Sequence, residues 1–482
     1  MPASQTVQRK TTVAFNQKFT PIAESCKPQL SEWIERPVEV ITFVPYPSTW
    51  FQCRAVHRMS IDELATTPIG KRDEFILDFQ THRVGYLAFH LDGTGKSIDA
   101  PARLRLTFGE VPLDLATDGL GACKSWISTS WLPDEVINVD WLPTDVAMHR
   151  RYAFRYVRIQ IIDTSQQYRA FFSDLIVRAV SSVHPRVFNS IPPLKTSDPL
   201  LQKTDLISQH GPRRDRRLWS EDHRLQALTN HATFKDFNLD KGCLYIFAAV
   251  VGSDGSLPAC LFEFPSLCAA SYYIVDYDAL FGVMVYDYTI APSDFDTARE
   301  LCPTVLGSLK TALCHVKSVE IPRLGSLPSS GCRYAWAPLV LSEAAATKAF
   351  YDSSTGVFVS GPQRQVSWLS QAWLALAGVL PLERCKQLLL TAMSDPAALK
   401  PLFPYGWTTF AEALPVCGAR EECLSLLKSY WGGMVERGAD TFWECFDPED
   451  NRKSPYQDFR NNSYCHAWSC SPAWLLRSVL SS

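Results

Sequence analysis

The stretch His210-Gly211-Pro212-Arg213-Arg214-Asp215-Arg216-Arg217-Leu218-Trp219-Ser220-Glu221-Asp222 places four arginines and three acids between a turn and a helix start. Gly211-Pro212 is a turn dipeptide. Ser220, with Glu221 and Asp222 behind it, has the form of a helix N-cap with acids in the first turn, and Leu225, Leu228 and Ala232 recur at helical spacing. The spacing predicts a loop that carries Asp215 and Trp219 into a helix. Such a charge run has two readings. It is either a solvated surface where the arginines pair with the acids, or a functional loop.

Downstream, Tyr430 to Glu444 ends a helix at Gly438, a position open to left-handed backbone, and delivers Glu444 beside Trp443. A carboxylate set against aromatics is open to desolvation. The segment Asn462-Ser463-Tyr464-Cys465-His466-Ala467-Trp468-Ser469-Cys470-Ser471-Pro472 contains His466, which taken alone reads as a buried structural histidine.

Upstream, residues 1–70 hold Pro28, Pro37, Pro45 and Pro47 with little periodicity, and read as an irregular arm packed on the next domain. From Phe75 the period is two. Phe75, Leu77 and Phe79 alternate, and Gly85 to Leu91 comes after Thr81-His82-Arg83. Leu104 to Glu110, Arg151 to Ile162 and Asp174 to Val180 complete the set. Short alternating strands between polar turns predict an antiparallel β-sandwich over 71–190, with a boundary near Pro192-Pro193. Past it the period is helical. Val366, Leu369, Trp373 and Leu376, then Leu382, Cys385, Leu388 and Leu389 after Pro381, suit helical hairpins packed in a ring over 191–482. The tyrosines at 272, 273, 277, 286 and 288 fit no single period and suit either a pocket lining or a mixed core helix.

The chain has 482 residues, enough for two or three domains with real cores. Its formal net charge is -3, with bases spread among acids, so the basic footprint of a nucleic-acid binder is missing. The N-terminus has no apolar signal-like stretch, and the longest apolar run, Leu244 to Val251, is too short to span a bilayer, so the expectation is a cytoplasmic protein with no membrane partner. The 15 cysteines include no Cys-x-x-Cys pair and read as reduced thiols, which also argues against zinc. No Gly-x-Gly-x-x-Gly turn suggests a dinucleotide. The expectation is no cofactor and no metal.

The 210–222 stretch resembles, without a gap, the catalytic loop of α-L-rhamnosidases of the six-hairpin glycosidase type, glycoside hydrolase family 78. That loop reads Asp-Gly-Pro-Lys-Arg-Asp/Glu-Arg, then Trp, then Gly-Asp. The resemblance puts Asp215 on the general acid, Arg214 and Trp219 on sugar-contacting positions, and Asp222 on a second essential acid. His210 stands where the family has aspartate, and Glu221 where it has glycine. The segment to Glu444 resembles Gly-Ala-Thr-Thr-Phe-Trp-Glu, with Asp440 for the first threonine, which gives Glu444 the general-base role and sets Trp443 at the sugar. The His466 segment resembles Ser-Leu-Cys-His-Gly-Trp-Ser-Ala-Gly-Pro, which places His466 on a sugar-binding histidine. Asp78-Phe79 with Val84-Gly85-Tyr86, Phe108-Gly109-Glu110, and Arg150 to Arg158 are similar to the family's sandwich domain.

The resemblance implies a sandwich followed by an (α/α)6 barrel, complete or shortened. It also implies an inverting glycosidase in which Asp215 protonates the leaving oxygen and Glu444 activates water, with both carboxyls at one mouth of the barrel. His210 and Glu221 leave two alternatives. One is a non-hydrolytic enzyme of specialised metabolism acting on an aromatic or polyketide-like metabolite; the other is a non-catalytic binder of small molecules.

Overall fold

The computed structural model describes residues 7–8, 13–95, 98–115, 124–209, 217–270, 272–318, 347–348, 350–361 and 363–481. Alternation of buried and exposed side chains, as in Ala102–Gly109, builds an antiparallel sheet. Its nine strands are β1 Ser31–Glu35, β2 Glu39–Pro45, β3 Cys53–Met59, β4 Glu74–Gly95, β5 Ala102–Gly109, β6 Asp134–Val139, β7 Thr144–Ala147, β8 Tyr152–Asp163 and β9 Tyr168–Ser181. The order is β1-β9-β4-β8-β5-β6, with β2 joining β3 to β4 and β7 also on β4.

Strand β4 organises this sheet. Residues 74–85 pair with β8 and residues 85–95 with β9. Phe75 and Phe89, from its two halves, both pack on Phe172 of β9, at 5.0 and 5.5 Å between ring centroids. The sheet therefore closes over one core, in which each such side chain contributes roughly 1.5–3 kcal/mol by burial. The two strands expected on either side of Thr81-His82-Arg83 are thus one. Nothing there reverses the chain: Gln80 absorbs an irregularity at φ 62°, and Gly85 admits β9, because a Cβ at Gly85 would lie 2.4 Å from the Arg178 carbonyl oxygen.

The expected irregular arm over 1–70 is also corrected. Residues 31–59 supply β1, β2 and β3, and Ile61–Thr66 is a helix capped by the Ser60 hydroxyl. The prolines hid this because they sit at strand ends and turns. Val13–Phe15 pairs instead with Val250–Gly252, and the helix Phe19–Ser25 packs on the helical region.

Past the sheet, ten helices of the described residues matter for the site. They are α1 Pro199–Ser208, α2 Ser220–Ala232, α3 Phe237–Ala248, α4 Val275–Ile290, α5 Phe295–Ser318, α6 Trp368–Leu376, α7 Leu382–Ser394, α8 Pro404–Val416, α9 Arg420–Glu436 and α10 Pro472–Ser481. Helix α2 neighbours α4 and α10, α10 neighbours α8, and α8 neighbours α6. Helices α3, α5, α7 and α9 pack on α2, α4, α6 and α8 respectively. This alternation of inner and outer helices is the two-layered arrangement of an (α/α) barrel. Arg224 of α2 joins three inner helices: its Nε lies 2.8 Å from Asp287 of α4, and its two terminal nitrogens lie 3.2 and 2.9 Å from Glu412 of α8.

Candidate functional site

Two short segments zip together at one end of the helical region. Helix α9 ends at Glu436, and Gly438, at φ 93°, turns the chain into Ala439 to Glu444. The Thr441 hydroxyl donates to the Tyr464 carbonyl at 2.7 Å, His466 N–H to the Phe442 carbonyl at 2.8 Å, and Glu444 N–H to the Ser463 carbonyl at 2.8 Å. Ser469 Oγ donates to the Trp443 carbonyl at 2.6 Å, and Trp468 Nε1 to that of Glu444 at 3.1 Å. The two sequence motifs therefore form one platform with a buried Glu444 and a buried His466.

The Glu444 carboxylate accepts the Ser463 N–H on Oε2 at 2.8 Å and the Tyr456 hydroxyl on Oε1. His466 Nδ1 lies 3.6 Å from Asp222 Oδ1, which joins the platform to the first turn of α2. His466 also lies against the Trp468 ring, with centroids 4.4 Å apart. Trp219 precedes α2 and meets Tyr277 of α4 edge-on at 6.0 Å. Glu221 is buried in the same first turn of α2 as Asp222.

The expected Ser220 cap is corrected: Trp219 is the N-cap and makes no capping hydrogen bond through its side chain, while Ser220 is the first helical residue. Trp219 pairs as a strand with Cys260, and Ser220 N–H donates to the Ala259 carbonyl, so a strand leads directly into the helix. The tyrosine-rich segment splits between roles: Tyr277 faces Trp219, Tyr288 is core, and Tyr286 is exposed. His210, Arg214 and Asp215 lie outside the described residues, so the shared mouth expected for Asp215 and Glu444 stays an expectation.

The sheet region buttresses the platform. Glu110, just past β5, accepts the Tyr464 N–H at 2.6 Å and the Ser463 hydroxyl at 3.4 Å. Trp50, between β2 and β3, stacks on Trp443 at 6.3 Å, and Phe51 packs on Trp443 and Tyr464. Arg155 of β8 lies 3.6 Å from Asp440. Burial raises the Asp440 pKa above the usual carboxylate range, and Arg155 only partly offsets it. Sequence reasoning singled out neither Tyr456, Ser463 nor Tyr277 as site residues, nor Glu110, Trp50 or Phe51 behind them. Three of them carried a signal: Ser463 within the His466 motif, Tyr277 within the tyrosine-rich segment, and Glu110 within the Phe108-Gly109-Glu110 motif.

A cavity of about 240 Å³ is a separate feature, and none of Asp222, Glu444 and His466 lines it. His223 and Asp240 do, at 2.6 Å, and Asp240 also meets His231 at 2.8 Å. Among the described residues no three or more His, Cys, Asp or Glu side chains are grouped to hold a metal ion, and no helix is long and apolar enough to cross a membrane.

A family profile described as the glycosyl hydrolase family 78 alpha-rhamnosidase N-terminal domain matches residues 37–179. Among curated proteins, none matches the chain. Among solved structures, a rhamnosidase from Klebsiella oxytoca with rhamnose bound is 34% identical, with a TM-score of 0.88, over 97% of this chain and 99% of that one. The family 78 rhamnosidase of Bacillus sp. GL1 shares the fold at 18% identity and a TM-score of 0.66, over 89% of this chain and 50% of its own. The α-L-rhamnosidase of Streptomyces avermitilis, complexed with L-rhamnose, does so at 15% and 0.57, over 93% and 44%. A sheet matched by the family profile, a barrel of paired helices and a whole-length relative at this identity place the chain in glycoside hydrolase family 78, the α-rhamnosidases.

Proposed function

We propose that this glycoside hydrolase cleaves a small α-L-rhamnoside with inversion, using Asp215 as general acid and Glu444 as general base. The observation that carries the substrate is the whole-length likeness to the rhamnose-bound Klebsiella protein. That likeness favours hydrolysis over the non-hydrolytic and non-catalytic alternatives.

An inverting pair needs an acid that protonates the leaving oxygen and a carboxylate, about 6.5–9.5 Å away, that takes a proton from water on the opposite face. Glu444 suits the second role. It is buried beside Trp443, and its carboxylate accepts hydrogen bonds from Tyr456 and Ser463 that align it. Asp222 and His466 are suited to the sugar hydroxyls, together with Arg214, Trp219 and Trp443. His210 gives up the two acceptor oxygens of an aspartate, and Glu221 stands in the same turn of α2 as Asp222, where it can offer a carboxylate in exchange.

The test is an aryl-glycoside panel with the product anomer read by NMR. Rhamnoside turnover releasing the inverted sugar is expected, abolished in Glu444→Gln with substrate binding retained. Retention of configuration, or an active Gln variant, would sink the assignment. The chemistry asks for no metal, so chelator should leave the rate unchanged. None of the 13 cysteines among the described residues is in a disulfide, and burial pushes Cys423 and Cys445 up to about 12. Thiols kept reduced support a cytoplasmic location, which cell fractionation would check.

A further inference from the structure

We propose that Tyr456 is a positioning residue for the Glu444 carboxylate, and that Trp126 from the sheet region holds it in place. The inference rests on the base role given to Glu444 and adds two residues that no motif marks.

The two oxygens of Glu444 are held differently. Oε2 takes a backbone N–H from Ser463, inside the zipped platform. Oε1 takes the Tyr456 hydroxyl, from an irregular loop between Asp447 and Asp458. A side chain on such a loop fixes a carboxylate only if the loop is itself fixed. Trp126 does this: its Nε1 donates to the Pro455 carbonyl at 2.9 Å, its N–H to the Tyr456 carbonyl at 3.4 Å, and its ring lies 6.0 Å from that of Tyr456. Nearby, Lys124 N–H donates to Asp458 at 3.0 Å, and Ser454 accepts the Tyr456 N–H at 3.1 Å while donating to Asn462 at 2.8 Å. Trp126 is 67% exposed. An indole that exposed contributes little to a core, and its hydrogen bonds go to the loop that carries Tyr456.

A donor on Oε1 does two things for a general base. It sets the carboxylate plane, which leaves a lone pair of fixed direction for the water, and it favours the ionised form. Removing only the hydroxyl should therefore lower turnover and make Glu444 easier to protonate. Among the described residues, titratable groups near Glu444 include Cys445 beside it, with Lys453, Asp447 and Asp450 around that thiol, Glu110 behind Ser463, and His466 with Asp222; the proposed acid Asp215 is a further one. Neither Tyr456→Phe nor Trp126→Leu alters them.

Steady-state kinetics on an aryl rhamnoside across pH would test this in the full-length protein. Tyr456→Phe keeps the ring against Trp126. It should lower kcat by about 10- to 100-fold, the worth of a hydrogen bond to a charged group, with KM changed less than about 3-fold. The acidic limb of the pH–rate profile should move to higher pH. Trp126→Leu should move both readouts in the same direction but less far, with thermal stability nearly unchanged. Wild-type kinetics in Tyr456→Phe, or a loss of kcat with no movement of the acidic limb, would overturn the inference. Glu444→Gln separates the two claims: an active Gln variant removes the base role itself, whereas an inactive one beside a normal Tyr456→Phe removes only this inference.

Discussion

Glu444 and Glu412 are both carboxylates held within the helical region, and their surroundings differ in kind. Glu412 meets the guanidinium of Arg224, which also engages Asp287, so its charge is matched by a cation inside the barrel. Asp240 is matched in the same way by His223, and its other oxygen lies 2.8 Å from His231. Among the described residues, the donors to Glu444 include a phenol and a backbone amide. A carboxylate locked to a buried cation ties helices together and is a poor proton acceptor. One held by neutral donors keeps its orientation and can still receive a proton.

The sharpest way to break this contrast is to damage each side and compare activity with stability. Glu444→Gln should cost about 10³-fold or more in kcat while the melting temperature stays within a few degrees. Arg224→Met should do the reverse. It leaves Asp287 and Glu412 without their cation and should cost about 3–5 kcal/mol by denaturant titration, with near-normal kcat in the fraction that stays folded. A fully stable Arg224→Met protein would show that the network does not hold the barrel together.

His223 sharpens the same point through pH. Burial alone would lower its pKa, but the charges of Cys243 and Asp240 and the hydrogen bonds to them outweigh it and raise the group to about 10. The unfolded value is about 6.5, so the stabilisation is complete below that pH and is lost as pH rises through about 10. The melting temperature of wild type minus that of His223→Gln should therefore be largest near pH 6 and shrink steadily toward pH 10. A gap independent of pH would mean that the His223–Asp240 pair acts without charge.

The smallest expected effect is at Gly438, which turns the chain from α9 into the platform. A Cβ there meets nothing within 4 Å, but the backbone is at φ 93°. Gly438→Ala should cost about 1 kcal/mol through backbone strain, with KM hardly changed. A large rise in KM would show that the turn also sets the sugar-facing geometry.

The sequence was legible where function and fold are written locally. Gly438 announced the end of α9, Pro381 separated α6 from α7, and alternation marked the first half of β5. The motifs ending at Glu444 and spanning His466 carried both the family and the residues that the structure zips together. Local reading failed where a local cue had competing meanings. The prolines of residues 28–47 suggested an irregular arm although they border strands, and Thr81-His82-Arg83 suggested a turn within one continuous β4.

The sequence by itself determined the period of each element, the caps and turns near Gly438, and the identity of the side chains at Glu444, Asp222 and His466. Tertiary structure alone decided which distant groups hold them. Glu110 reaches the amide of Tyr464, Trp50 covers Trp443, and Trp126 anchors the loop of Tyr456 across more than three hundred residues of chain. No spacing rule connects such pairs. A hydrogen bond between a sheet edge and a barrel loop forms only once two independently packed surfaces meet, and its energy depends on the approach of those surfaces rather than on the order of residues in either.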